Sequence, residues 1–298
     1  MRIRIDLSYD GAGFHGWAAQ PGLRTVQGVL EEALSMVLQE PIVLTVAGRT
    51  DAGVHAAGQT AHFDVAESAW ARLPGRSDRE PGESLVRKLN AITARGADGP
   101  PGYTDVVVKR AIEVSSDFDA RFSALWRSYS YRIADGVANW DPRRSDVLWL
   151  ESELDVDAMN RAAQPLLGEH DFLSFCKPRE GASTVRTLLD LGFRRESAGS
   201  AAGGASCETG GGGLIVGYAK GDAFCHSQVR TLMGTLIEVG RGARSEDWPA
   251  HRLAEAARTG EVIVAPAHPL TLEEVGYPDP ANYAQQARAA RRYRGNRG

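Results

Sequence analysis

Along the first nine residues apolar and polar side chains alternate: in "RIRIDLSYD", Ile3, Ile5 and Leu7 fall on one side and charged or hydroxyl residues on the other. A period of two marks a strand with one buried face. Between Thr25 and Gln39 the period changes. Val26, Val29, Leu30, Ala33, Leu34, Val37 and Leu38 recur at three and four, which predicts a helix with Thr25 as N-cap. "IVLTVA" and "TAHFDV" predict strands, "SLVRKLNAI" a short helix, and Val106 to Val114 another strand. Pro, Gly and charge crowd into "RLPGRSDREPGES", which predicts a surface loop.

The second half repeats this grammar. "RSYSYRIAD" predicts a strand, "DVDAMNRAAQPLLGEHDF" a helix, "VRTLLDLGFRR" and "GLIVGYAKGDAF" strands, and "HSQVRTLMGTLIEVG" a helix that ends on a C-capping Gly240. "SAAGGASCETGGGG" is too glycine-rich to pack and predicts a flexible hairpin excursion near 197–213. Several strand pairs have short or Gly-rich links with no crossover helix. That favours two α+β units, each an antiparallel sheet backed by helices, over a parallel doubly wound sheet.

Length and composition suit this reading. The 298 residues, 43% hydrophobic and 24% charged, are enough for two cores. Without an apolar run of membrane length or a leader-like N-terminus, the expectation is a soluble, cytoplasmic protein. Cys176, Cys207 and Cys225 form no CxxC pair and are expected as isolated reduced thiols.

The net charge of −4 argues against a protein that coats nucleic acid. The basic residues nevertheless comprise 30 Arg and only 4 Lys. Arg is the side chain whose planar fork grips phosphate, although a GC-rich genome also produces such an excess. The tail "ARAARRYRGNRG" has five Arg and no acid, and reads as a solvated mobile end or as a salt-sensitive grip on phosphates.

"GAGFHG", Gly11 to Gly16, has the spacing of a dinucleotide-binding turn after a strand. That turn needs a helix at once, whereas the predicted helix starts only at Thr25, so a nicotinamide or flavin site is disfavoured. In "TVAGRTDAGVHAAGQTAHFDV", Gly48 and Gly53 bracket Arg49, Thr50 and Asp51. One reading is a turn in which Asp51 accepts a local N–H. The other is an ionised carboxylate beside Arg49, with His55, Gln59 and His62 nearby, suited to act as a nucleophile.

"GRTDAGVHAAGQ" closely resembles the signature of the A family of tRNA pseudouridine synthases. "YDGAGFHGW", "FDARFSA" followed by "RSYSYRI", "LLGEHDFLSF", "AFCHSQVRTLMGTLIEVG" and "APAHPLTLEEVGYP" resemble further blocks of that family, in family order from Tyr9 to Pro278. The resemblance implies an enzyme that isomerises uridine to pseudouridine in the anticodon stem-loop region of tRNA, breaking the N-glycosidic bond, turning the uracil and rejoining it through carbon. It implies Asp51 as nucleophile, at ribose or base.

Tyr129 matches an active-site tyrosine that stacks on uracil; a core aromatic is the lesser alternative by pattern. Arg230 matches an arginine that pairs with the catalytic Asp; by pattern alone a snorkelling surface Arg fits as well. Arg49 matches one that holds the flipped nucleotide out of the stack. His55, Gln59 and Arg121 are further candidates for substrate contact. No metal and no cofactor are implied, because the reaction is redox-neutral. Two ferredoxin-like (RRM-like) subdomains are expected, forming one continuous antiparallel sheet flanked by helices with the active cleft between them: 1–110, 111–278, and an Arg-rich tail at 279–298. A homodimer that cradles tRNA is also implied. The competing readings are a catalytically inactive tRNA-binding module and a nicotinamide oxidoreductase.

Overall fold

A computed structural model describes residues 1–178, 181, 183–196, 213–257 and 262–295. The chain divides into two compact units, 1–125 with 272–298, and 126–271. The expected boundary at 110 falls inside a nine-residue strand of the first unit, and the chain's last segment returns to that unit.

In the first unit the chain forms β1 (Arg2–Tyr9), α1 (Val26–Leu38), β2 (Thr45–Val46), β3 (His55–Asp64), α2 (Glu67–Ala71), α3 (Pro81–Arg95) and β4 (Val106–Val114). β1 is central and antiparallel to both β3 and β4, with Ile5 opposite Ala61 on one side and Ala111 on the other. The alternation seen in the sequence becomes burial: Ile3, Ile5 and Leu7 are fully enclosed, each stabilising the fold by about 1.5–3 kcal/mol. α1 starts where the pattern places it, with Thr25 Oγ1 accepting from Gly28 N–H and Val26, Leu30, Ala33, Leu34 and Leu38 buried.

Two local expectations differ. Only Thr45 and Val46 of "IVLTVA" pair with β3, because the N–H groups of Ile42 and Leu44 go instead to Ser35 Oγ and Glu31 Oε1 of α1. The predicted loop at 72–84 ends early. Pro81 starts α3, where its missing N–H costs nothing.

The second unit runs β5 (Trp126–Asp135), β6 (Leu148–Leu150), α4 (Val156–Ala163), β7 (Gly168–Asp171), β8 (Val185–Arg195), β9 (Ile215–Gly221), α5 (Gln228–Gly240) and α6 (Trp248–Glu255). Its strands order as β5-β9-β8-β7, antiparallel, with β6 parallel to β5. The long helix expected over 155–172 stops at Ala163. Pro165 cannot continue it, and the chain makes a 3-10 turn before "GEHD" pairs with β8 as β7. α5 is not capped by Gly240, its last residue; Arg241 takes the C-cap and Gly242 the left-handed turn. The predicted Gly-rich excursion lies almost wholly at 197–212, outside the described residues.

The chain then forms β10 (Leu270–Gly276), which follows β3 in the first unit's order β4-β1-β3-β10, and α7 (Tyr283–Gly295). The tail expected as a mobile end is therefore helical through residue 295, with Tyr283 and Ala287 buried. The α+β class holds in both units, each an antiparallel sheet with helices. No helix among the described residues is long and apolar enough to cross a membrane.

The cysteine expectation fails for two of the three. Cys176 and Cys225 form a disulfide, with Cα atoms 5.7 Å apart. Their separation of 49 residues hides this in the sequence. What brings them together is tertiary: Lys177 N–H donates to His226 O, which closes the turn after β7 onto the turn before α5. Alkylation of the denatured chain is expected to label a single cysteine before reduction and all three after it. Cys225→Ser is expected to lower stability by about 2–4 kcal/mol in a thermal melt without reductant. Full labelling before reduction would show that the bond is missing.

Candidate active site

The loop that carries Asp51 is built from the first unit's own backbone. α1 begins with N–H groups that have no partner inside the helix. Those of Val26 and Gln27 donate to the carbonyls of Gly16 and Trp17, so the helix start holds "HGW" in place. Trp17 N–H in turn donates to Thr50 O, and Gly53 N–H to Phe14 O. Gly16 has φ +87°, and a Cβ on it would stand 2.9 Å from Thr50 O and 3.2 Å from Asp51 C. A Cβ on Gly11 would overlap the Val54 carbonyl. Two of the three glycines that mimic a dinucleotide fingerprint, Gly11 and Gly16, are thus placed for contact with the Asp51 loop, and the first α1 N–H groups are spent on protein oxygens.

Side chains lock the same loop from below. Thr50 Oγ1 lies 2.8 Å from Tyr9 Oη, and Gln59 Nε2 donates to Tyr9 Oη at 3.2 Å and to Gly48 O at 2.9 Å. All three side chains are buried. Asp51 itself is half-buried on this turn, and Arg49, two residues earlier, is exposed.

The expectation that Gln59 contacts substrate is not met. It is completely enclosed and its amide hydrogens hold the loop, which makes it a positioning residue. His55 is pinned too: its Nδ1 lies 3.0 Å from Gly11 N and 3.0 Å from Asp10 Oδ1. A neutral ring accepts from Gly11 N–H, and a protonated one donates to Asp10. The hydrogen bond from His55 is the main reason the Asp10 carboxyl is held down at about 2. His62, expected near the loop, sits seven residues along β3, where its Nδ1 accepts from Ala120 N–H and its ring meets Phe118. Burial pushes that imidazole down to about 4. Arg121 is exposed, with its guanidinium 5.1 Å from the Phe122 ring centroid.

The remaining candidates belong to the second unit. Tyr129 lies on β5 opposite Ala219, only 9% exposed, and its ring meets Phe224 edge to face at 5.3 Å. Tyr131, two residues on, is fully buried; its hydroxyl donates to Pro266 O, and burial pushes its phenol up. Both tyrosines are buried, Tyr131 completely and Tyr129 to 9% exposure. Arg230 is half-buried in the first turn of α5 and tied to one segment twice: its Nε donates to Ala265 O at 2.8 Å, and Ala265 N–H donates to its carbonyl. It is an anchored side chain and not a snorkelling one.

Sequence reasoning missed Tyr9, Thr50 and Trp17 as the frame of the loop. The signal was present: "YDGAGFHGW" and "GRTDAGVH" both spend glycines at positions that a close backbone approach explains.

A family model described as tRNA pseudouridine synthase matches residues 162–278. Three relatives each bear the name tRNA pseudouridine synthase A. That of Leifsonia xyli subsp. xyli is 47% identical over 97% of this chain and 96% of its own length. That of Streptomyces griseus subsp. griseus is 46% identical over 99% and 94%, and that of Cutibacterium acnes 46% over 97% and 94%. Identity at this level over nearly the whole chain means that the chain belongs to the tRNA pseudouridine synthase A family.

Proposed function

We propose that this protein isomerises uridine to pseudouridine in tRNA, with Asp51 as the nucleophile. The observation that carries the reading is a half-buried carboxylate on a loop that Tyr9, Thr50 and Gln59 hold from beneath, in a chain whose relatives bear the synthase name over nearly their whole length. The carboxylate adds to the target nucleotide, the N-glycosidic bond breaks, and the freed uracil turns and rejoins the ribose through carbon, after which the bond to Asp51 breaks and the carboxylate is regenerated. The proton displaced from that carbon passes to solvent or a nearby base, and the nitrogen that leaves the ribose takes one up. Atoms balance without an added reagent. A rigid loop suits this sequence, since the nucleophile must meet two orientations of the same base without moving.

Tyr129 offers a largely buried ring to stack on the base, as the family resemblance implies, and Arg230 a guanidinium anchored through Nε to the Ala265 carbonyl. Arg49, exposed and two residues before the nucleophile, holds the flipped nucleotide in this reading, as the family resemblance implies. The resemblance further points to the anticodon stem-loop, to a homodimer and to the cytoplasm. Pseudouridine mapping in tRNA from cells that lack the gene reads the first, and light scattering the second, as a mass about twice 32.1 kDa.

Asp51→Asn is expected to bind tRNA as the unaltered protein does and to make no pseudouridine in a single-turnover assay; measurable product from that variant removes Asp51 from the role. Tyr9→Phe keeps the ring and deletes the hydroxyl that Thr50 and Gln59 share. It is expected to lower kcat by about 10- to 100-fold while KM for tRNA holds, because the loop is displaced and the binding surface is not. A change confined to KM contradicts the positioning argument.

A further inference from the structure

The C-terminal helix α7 has one edge docked and one edge charged. Tyr283 and Ala287 are 6% and 3% exposed, and the Tyr283 ring meets Phe118 at 5.0 Å in a cluster with Ala120. Ser123 Oγ donates to Tyr283 O, and Gln286 Nε2 to Ala124 O. One turn beyond Ala287, Arg291 donates to Asp119 Oδ2 at 2.7 Å, and its guanidinium lies 4.8 Å from the Phe122 centroid. Arg121 lies 5.1 Å from the same ring. Arg288 is exposed and makes no ion pair with a described residue.

Two guanidinium groups therefore flank one aromatic ring, and a third cation stands on the adjoining helix face. The nearby carboxylate is already engaged. Asp119 Oδ1 accepts the N–H groups of Arg121 and Phe122, and Oδ2 takes Arg291. From 283 to 298 the chain has five Arg and no acid, although its net charge is −4. Gathering like charges on a docked element is unfavourable unless an anion shares them, and the planar guanidinium matches the geometry of phosphate oxygens.

We propose that α7 and the 119–122 turn form a phosphate-binding strip, in which Arg288, Arg291 and Arg121 grip the sugar–phosphate backbone of tRNA. The strip rests on the proposed function for the identity of its polyanion. It contributes affinity without reading bases, so its signature is electrostatic. The apolar edge of α7 explains why the tail is helical: docking by Tyr283 and Ala287 orients the arginines in advance, which reduces the ordering cost of binding.

The test compares the full-length protein with Arg288→Gln/Arg291→Gln and with Arg288→Lys/Arg291→Lys, measuring Kd for a tRNA transcript between about 50 and about 200 mM salt. The Gln pair is expected to weaken binding about ten-fold at the low end and to reduce the slope of log affinity against log salt by about 1.5, two phosphate contacts' worth. The Lys pair is expected to keep most of the slope. Should loss of the Arg291–Asp119 pair unfold the protein, Arg288→Gln alone is expected to reduce the slope by about 0.8. Unchanged affinity and slope in folded variants overturn the strip. A protein that makes no pseudouridine, yet loses its salt slope in the Gln pair, refutes the proposed function and leaves the strip standing.

Discussion

The hydrogen bonds among Tyr9, Thr50 and Gln59 are the constraint on which the candidate site depends. Three polar side chains buried together must satisfy one another, since each group left without a partner costs about 1–3 kcal/mol. That demand admits a single arrangement: β1 must present Tyr9, β3 must present Gln59, and the loop between β2 and β3 must bring Thr50 to both. The carboxylate next in sequence to Thr50 inherits this rigidity without being buried. Strand register, helix start and loop conformation thus converge on one residue. The α1 N–H groups fix Gly16 and Trp17, and Trp17 fixes the Thr50 carbonyl.

Charge in this protein is organised by position and not by total. The net value is acidic, yet Arg49 stands exposed beside Asp51, Arg230 is anchored by a backbone carbonyl, and Arg121 and Arg291 share one ring. Polyanion recognition needs local density of guanidinium groups on rigid elements, and an acidic remainder of the surface does not cancel it beyond about a Debye length. Carboxylates deeper in the scaffold serve other ends. Asp10, held strongly acidic by its bond with His55, belongs to the frame behind the loop.

Local pattern made much of the fold legible. Period-two alternation identified β1, three-four spacing identified α1 with its Thr25 cap, and the Asp51 loop stood out because two glycines bracket a charged trio. These features depend on neighbours within a few residues, which is the range over which side-chain periodicity and capping act. Expectations went wrong where a partner distant in sequence decided the outcome. Ile42 and Leu44 bond to α1 and not to a strand, Gln59 turns inward to Tyr9, and Cys176 finds Cys225 through a backbone bond between two turns.

By itself, then, the sequence determined the α+β class, the likeness to the synthase family and the candidacy of Asp51, because each is written in contiguous residues. Only the tertiary structure decided which polar residues hold that carboxylate, that the basic tail folds as a docked helix, and that the last segment returns to the first unit. Those outcomes depend on which groups are left to satisfy one another once water is excluded, and that is set by contacts between segments far apart in the chain.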